Sequence, residues 1–197
     1  MNERAVPLPA PARPLPRVFR WFALLALGLA LGGVETPAPA TSVRKMDLAQ
    51  LSKNADKIFR GKVVAIREGS LNAGGGVIPT VTYRIEVSDA VAGEPARVAE
   101  FTSVGSTKKP AGQVQARFPI QMPDLKVGRE YLLFVTRPSR IGLSTVVGLG
   151  QGAFEIRSEN GKDMAVNEAN NLGLGDIGPG PAEYRLLAAK IRSLRAH

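Results

Sequence analysis

The sequence has no cysteine at all, and its one histidine is the final residue, His197. Thiol catalysis and disulfide bracing are therefore excluded, and the fold must rest on packing alone. A chain end rarely holds a side chain in fixed geometry, so a Ser-His-Asp triad and a His/Cys zinc site are excluded as well. Aromatic residues are scarce, at 6% of the chain. Stacking platforms for bases, which single-strand nucleic-acid sites combine with a positive groove, are correspondingly few. No uncharged apolar run reaches the roughly 20 residues a bilayer span requires. The longest, Trp21–Val34, has fourteen.

That run belongs to a leader. Arg4, Arg13, Arg17 and Arg20 make the preceding segment positive, and Ala38-Pro39-Ala40 offers a small-residue cleavage site that leaves Thr41 as the new N-terminus. Residues 1–40 thus read as a signal peptide, with Trp21–Val34 serving as a membrane anchor if it stays uncleaved. The expected location is periplasmic or extracellular. Removing four arginines and two glutamates from 26 basic and 17 acidic residues leaves a mature net charge of +7. Such an excess attracts anionic surface polymers or lipid headgroups. Its residues are nevertheless scattered from Arg44 to Arg195, which suits plain solubility better than a footprint.

The remaining chain reads as one mainly β domain, residues 41–180, followed by a helix over 181–197. Asp47 can cap a short helix that places Leu48, Leu51 and Ala55 on one face. In ADKIFRGKVVAIREG, Phe59, Val63 and Ala65 alternate with Arg60, Lys62 and Val64, with Gly61 marking a bend or bulge. SLNAGGGVIP is expected to be a flexible connection. Val81, Tyr83, Ile85 and Val87 then point one way while Thr80, Thr82, Arg84, Glu86 and Ser88 point the other, a strand period. RVAEFTSV is a third strand. LKVGREYLLFVT turns at Val127-Gly128 into a fourth that buries Tyr131, Leu133 and Val135. LSTVVGLGQGAFEIRS is read as the fifth, turning at Asn160-Gly161 into MAVN. NEANNLGLGDIGPGP is loop, and Tyr184, Leu187, Ile191 and Leu194 line one side of an amphipathic C-terminal helix.

Gly148, Gly150 and Gly152 do not form a phosphate loop. A dinucleotide fingerprint spaces its glycines G-x-G-x-x-G and opens a helix. Here the spacing is G-x-G-x-G and Ala153–Ile156 alternates as a strand, so the glycines are assigned a structural role at a barrel corner. The order of elements, a Gly-x-Val in the first strand and Tyr-Leu-Leu-Phe in the fourth resemble an uncharacterised group of bacterial exported proteins. They also resemble the netrin-like domain of tissue inhibitors of metalloproteinases. The resemblance covers about residues 46–170 and implies an OB-like barrel of five strands. Those inhibitors grip a protease zinc through an N-terminal cysteine. This chain has none, so no inhibitory residue carries over.

Other constellations are weaker. Ser106-Thr107-Lys108-Lys109 matches S-x-x-K, but Pro110 disfavours the helix that would bring lysine to serine, and the companion motifs are missing. Asp163, Asn167, Glu168, Asn170, Asn171 and Asp176 could offer oxygen to a cation, without the spacing of an EF-hand. Nothing singles out a catalytic pair of carboxylates. The expectation is a non-catalytic, inhibitor-like binding module without cofactor or metal. Its partner would be a protein or an anionic polymer and not nucleic acid, met on a surface that includes Arg84, Lys108 and Lys109. A small carboxylate-dependent hydrolase is the alternative. Mass analysis of the protein from fractionated cells should find a start at Thr41 in the soluble exported fraction; an intact leader recovered with membranes would mean that Trp21–Val34 anchors the domain.

Overall fold

The computed structural model describes residues 44–107 and 124–196. The leader, Ala38, Ala40, Thr41, Trp21–Val34, Lys108, Lys109 and His197 lie outside them. The described chain is mainly β. Helix α1 (Leu48–Asn54) precedes strands β1 (Lys57–Ala73), β2 (Gly76–Ala92), β3 (Val98–Val104) and β4 (Glu130–Val135). Strands β5 (Ala153–Glu159), β6 (Lys162–Asn167) and β7 (Ala182–Glu183) follow, and helix α2 (Tyr184–Arg195) ends the fold. The seven strands form one sheet ordered β3-β2-β1-β4-β5-β6-β7, antiparallel at every step and not closed.

Helix α1 begins where a capping box satisfies its free amides. The Asp47 carboxylate accepts from Gln50 N at 2.7 Å, and Gln50 Oε1 accepts from Asp47 N at 3.2 Å. Strand β1 carries bulges on its β2 side, one of them at Arg60/Gly61. A side chain at Gly61 would meet the Glu86 carbonyl and Ile85 Cγ2, each at 2.6 Å, so glycine lets β2 coil tightly over β1.

Two expectations need correction. SLNAGGGVIP is no flexible connection: β1 and β2 stay paired out to Ala73↔Gly76 and reverse at Gly74 and Gly75, with φ of +59° and +77°. Two consecutive left-handed residues twist in the sense a hairpin needs, so the glycines make a turn inside one long ribbon. The fifth strand does not run through VVGLGQG either. Val146 makes an isolated bridge to Val135, residues 147–152 are turns, and β5 starts only at Ala153. The five strands expected are thus seven. Asn160 and Gly161, at φ of +51° and +75°, make the tight β5–β6 hairpin as read.

Packing falls into two cores. Between the sheet and the helices lie Leu51, Ile58, Leu132, Phe134, Phe154 and, from α2, Tyr184, Leu187 and Ile191. On the opposite face Phe59, Val63, Val81, Tyr83, Ile85 and Leu133 pack within the curve of the sheet. Two exposed arginines of α2 tie it to neighbouring elements. Arg192 binds Asp89 at 2.8 Å, and Arg195 donates to the carbonyls of Ser52 and Ala55 at the end of α1. No helix among the described residues is long and apolar enough to cross a membrane.

One further pair of contacts bears on architecture. The segment after β4 bridges Val135 antiparallel through Val146 and Thr102 of β3 in parallel through Leu143, where Ser144 N donates to Thr102 O at 2.8 Å.

Candidate functional site

Strands β4, β5 and β6 present a groove of about 320 Å³. Register sets its floor, since Tyr131 stands opposite Glu155 and Glu155 opposite Val166. Strand alternation puts Ala153, Glu155 and Arg157 on this same face. The turn from Asp124 to Arg129 makes one wall and Asn167–Glu168 the other. Leu125, Tyr131 and Ala153 are buried beneath it.

The polar groups are held before any ligand arrives. Glu155 Oε2 accepts from Arg157 Nε at 3.1 Å and also from its Nη2, while Oε1 lies 3.8 Å from Arg129 Nη1. The Glu155 carboxylate is largely sheltered, at 22% exposure, while Arg129 and Arg157 are 63% and 57% exposed. The two guanidiniums therefore keep donors free towards solvent. The bond to Glu155 raises the Arg157 pKa, so this residue stays charged. The Tyr131 hydroxyl accepts from Lys126 N at 3.2 Å, and burial pushes its phenol up from the ordinary range.

A second groove of about 340 Å³ adjoins the first, with Glu168 lining both. Its walls are Lys45, Gly148, Leu149, Ala169 and Leu172. This is where the three glycines act. Gly148 and Leu149 both have positive φ, +68° and +62°, which reverses the chain. The Gln151 carboxamide then accepts from Met46 N at 2.8 Å and donates to Arg44 O at 3.0 Å, tying down the residues before α1. A side chain at Gly152 would strike Val147 O at 2.7 Å. One at Gly150 would meet the Glu168 carboxylate at 2.9 Å.

Four of the six oxygen-bearing residues read as candidate cation ligands are already paired. Asn167 and Asn171 exchange bonds between side-chain oxygen and backbone amide at 3.0 and 2.8 Å, and Asn171 Nδ2 donates to the carbonyls of Ala165 and Gly180. Asp163 pairs with Arg60 and Asp176 with Lys190, both within 3 Å. Among the described residues no cluster of His, Asp and Glu could hold a metal ion. Arg84 is exposed on β2 in register with Glu100 of β3, across β1 from the groove strands, so the structure does not bring it to this site. Sequence reading missed Arg129, Glu155 and Arg157. The alternation of Ala153, Glu155 and Arg157 was visible, but the register that sets Glu155 beside Tyr131 was not.

A separate polar cluster centres on Arg60. Its guanidinium holds Glu130 through Nε and Nη2 at 2.8 and 2.7 Å, holds Asp163 at 2.8 Å, and lies 4.7 Å from the centroid of the Tyr184 ring. Tyr184 in turn donates to Asp89 at 2.6 Å. This cluster fastens β1, β4, β6 and α2 together. No family model matches the chain, and no curated protein matches it.

The bond from Arg60, assisted by one from Ser88, holds the Glu130 carboxyl below its usual range. At Asp89 burial acts upward, but the hydrogen bonds from Tyr184 and Arg192 outweigh it and the pKa is lowered. Folded-state values below unfolded ones stabilise the fold above about pH 4.5, and that stability is lost as pH falls through the lowered values. The urea midpoint should therefore drop between about pH 5 and pH 3. Glu130→Gln should be less stable at pH 7 and show a flatter profile; parallel profiles would remove Glu130 as a cause.

Proposed function

We propose that the chain is an exported, non-catalytic module that holds a protein partner in the β4–β6 groove, in the manner of an inhibitor or adaptor. The observation that supports this most is the Arg129–Glu155–Arg157 triad over a buried floor. Arg157 is hydrogen-bonded to Glu155 before binding, and Arg129 stands 3.8 Å from the same carboxylate, which lowers the ordering cost a partner must overcome. The Asp124–Arg129 turn and the Asn167–Glu168 segment border the same groove, and polar contacts at the rim of a rigid strand platform suit recognition.

The fold reading behind it is an OB-like barrel. Strands β1, β2 and β3, the Leu143–Val146 segment and β4 are linked in turn by hydrogen bonds and isolated bridges, with the step onto β3 parallel. That circuit supports a five-membered barrel built inside the larger sheet, with β5–β7 as an extension carrying the groove.

The two alternatives fit less well. A carboxylate hydrolase needs an acid with a raised pKa, yet Glu130 and Asp163 share one guanidinium and Glu130 is pushed the other way. A polyanion would meet Asp124, Glu155 and Glu168 alongside Lys126, Arg129 and Arg157 in the same groove, so half the contacts would repel it. Affinity capture from the cell-envelope fraction should recover a specific protein with the wild type. The pair Arg129→Glu, Arg157→Glu should recover at least about tenfold less, equivalent to about 1.4 kcal/mol. Equal recovery by both, or no protein above background, would overturn the proposal.

A further inference from the structure

Glu168 stands out among the groove carboxylates because its exposed side chain has no hydrogen bond or ion pair to any described residue. Every other carboxylate lining the first groove is matched: Glu155 with Arg129 and Arg157, Asp124 with Lys126 at 3.7 Å. Glu168 sits where the two grooves meet, and its carboxylate rests on the bare backbone of Gly150, where any side chain would displace it. It lines the first groove together with the partly free guanidiniums of Arg129 and Arg157. It lines the second together with the exposed Leu172, the half-buried Leu149 and, at the rim, Lys45.

We infer that Glu168 is a specificity residue: the joined grooves take an extended peptide that places an acidic side chain at Arg129 and Arg157, a lysine or arginine at Glu168, and an apolar side chain on Leu149 and Leu172. This rests on the protein-binding reading above and names the chemistry of the partner. Charge complementarity selects the occupant. A site offering positive, negative and apolar stations in sequence matches a polypeptide, whose successive side chains can carry all three. A polysaccharide or nucleic acid of uniform negative charge would be repelled at Glu168. The floor also lacks an open aromatic face, because Tyr131 is buried to 6% exposure. Gly150 is a positioning residue: its missing side chain leaves the carboxylate its place between the grooves.

The probe is an immobilised array of Gly/Ser hexapeptides in which three successive variable positions sample Asp, Arg, Leu and Ser, overlaid with the purified full chain. Wild type should favour Asp-Arg-Leu peptides at least about tenfold over the same peptides with glutamate in place of arginine, roughly the selectivity one charge-paired contact provides. Glu168→Gln should flatten that preference, and Glu168→Lys should reverse it at the middle position alone. Gly150→Ala should flatten it with the thermal midpoint unchanged, since only the flexible end of Glu168 must move. Unaltered selectivity in Glu168→Gln would overturn the inference. So would an array with no binding while envelope capture stays dependent on Arg129 and Arg157, an outcome that leaves the proposed function standing. Failure of both experiments would remove the two together.

Discussion

Strand β4 is buried on both faces, and that constraint organises the molecule. Tyr131, Leu133 and Val135 enter the core within the curved sheet, while Leu132 and Phe134 enter the core beneath the helices. A strand with no solvent face cannot slip by one residue without exchanging its two sets of side chains between cores, so its register is strongly specified. Its neighbours inherit that register: β1 through Lys57↔Val135 to Lys62↔Glu130, and β5 through Tyr131↔Glu155 to Leu133↔Ala153. Arg60 reinforces the arrangement from β1, joining β4 and β6 by charge and meeting the ring of Tyr184.

The groove follows from the same pairing. Because Tyr131 is fixed inward and opposite Glu155, the carboxylate stands over a buried ring and collects Arg157 from its own strand and Arg129 from the turn before β4. The walls are loops, yet they are not loosely held. The reciprocal Asn167–Asn171 clamp anchors one of them, and Gln151 uses its carboxamide to fasten the residues ahead of α1 beside the second groove. A recognition surface on strands, with short polar staples at its rim, keeps charged groups in place at modest cost in chain entropy.

Much of this was legible wherever one local rule acted alone. The β2 alternation, the Asp47 cap, the Asn160-Gly161 turn and the apolar face of the last helix each follow from nearest neighbours in the chain. Reading failed where glycine admitted two meanings. In SLNAGGGVIP it suggests flexibility, although two left-handed glycines suffice to turn a ribbon whose flanks keep pairing. In VVGLGQG it suggests a strand, whereas the residues serve a chain reversal, a close approach to Val147 and a seat for Glu168. The groove was illegible for a different reason. Arg129 and Glu155 are brought together by strand register, and register is decided by the two-sided burial of β4 and not by any motif.

Amide hydrogen exchange on the native protein addresses that dependence most directly. Leu132, Leu133 and Phe134 are wholly buried, while residues 67–70 and 74–77 near the β1–β2 tip are exposed. If β4 is the organising strand, its amides should exchange last, at a rate set by global unfolding, with the tip opening far earlier. Exchange in β4 as fast as at the tip would contradict the account, because a strand that opens locally could not hold the register on which the groove depends.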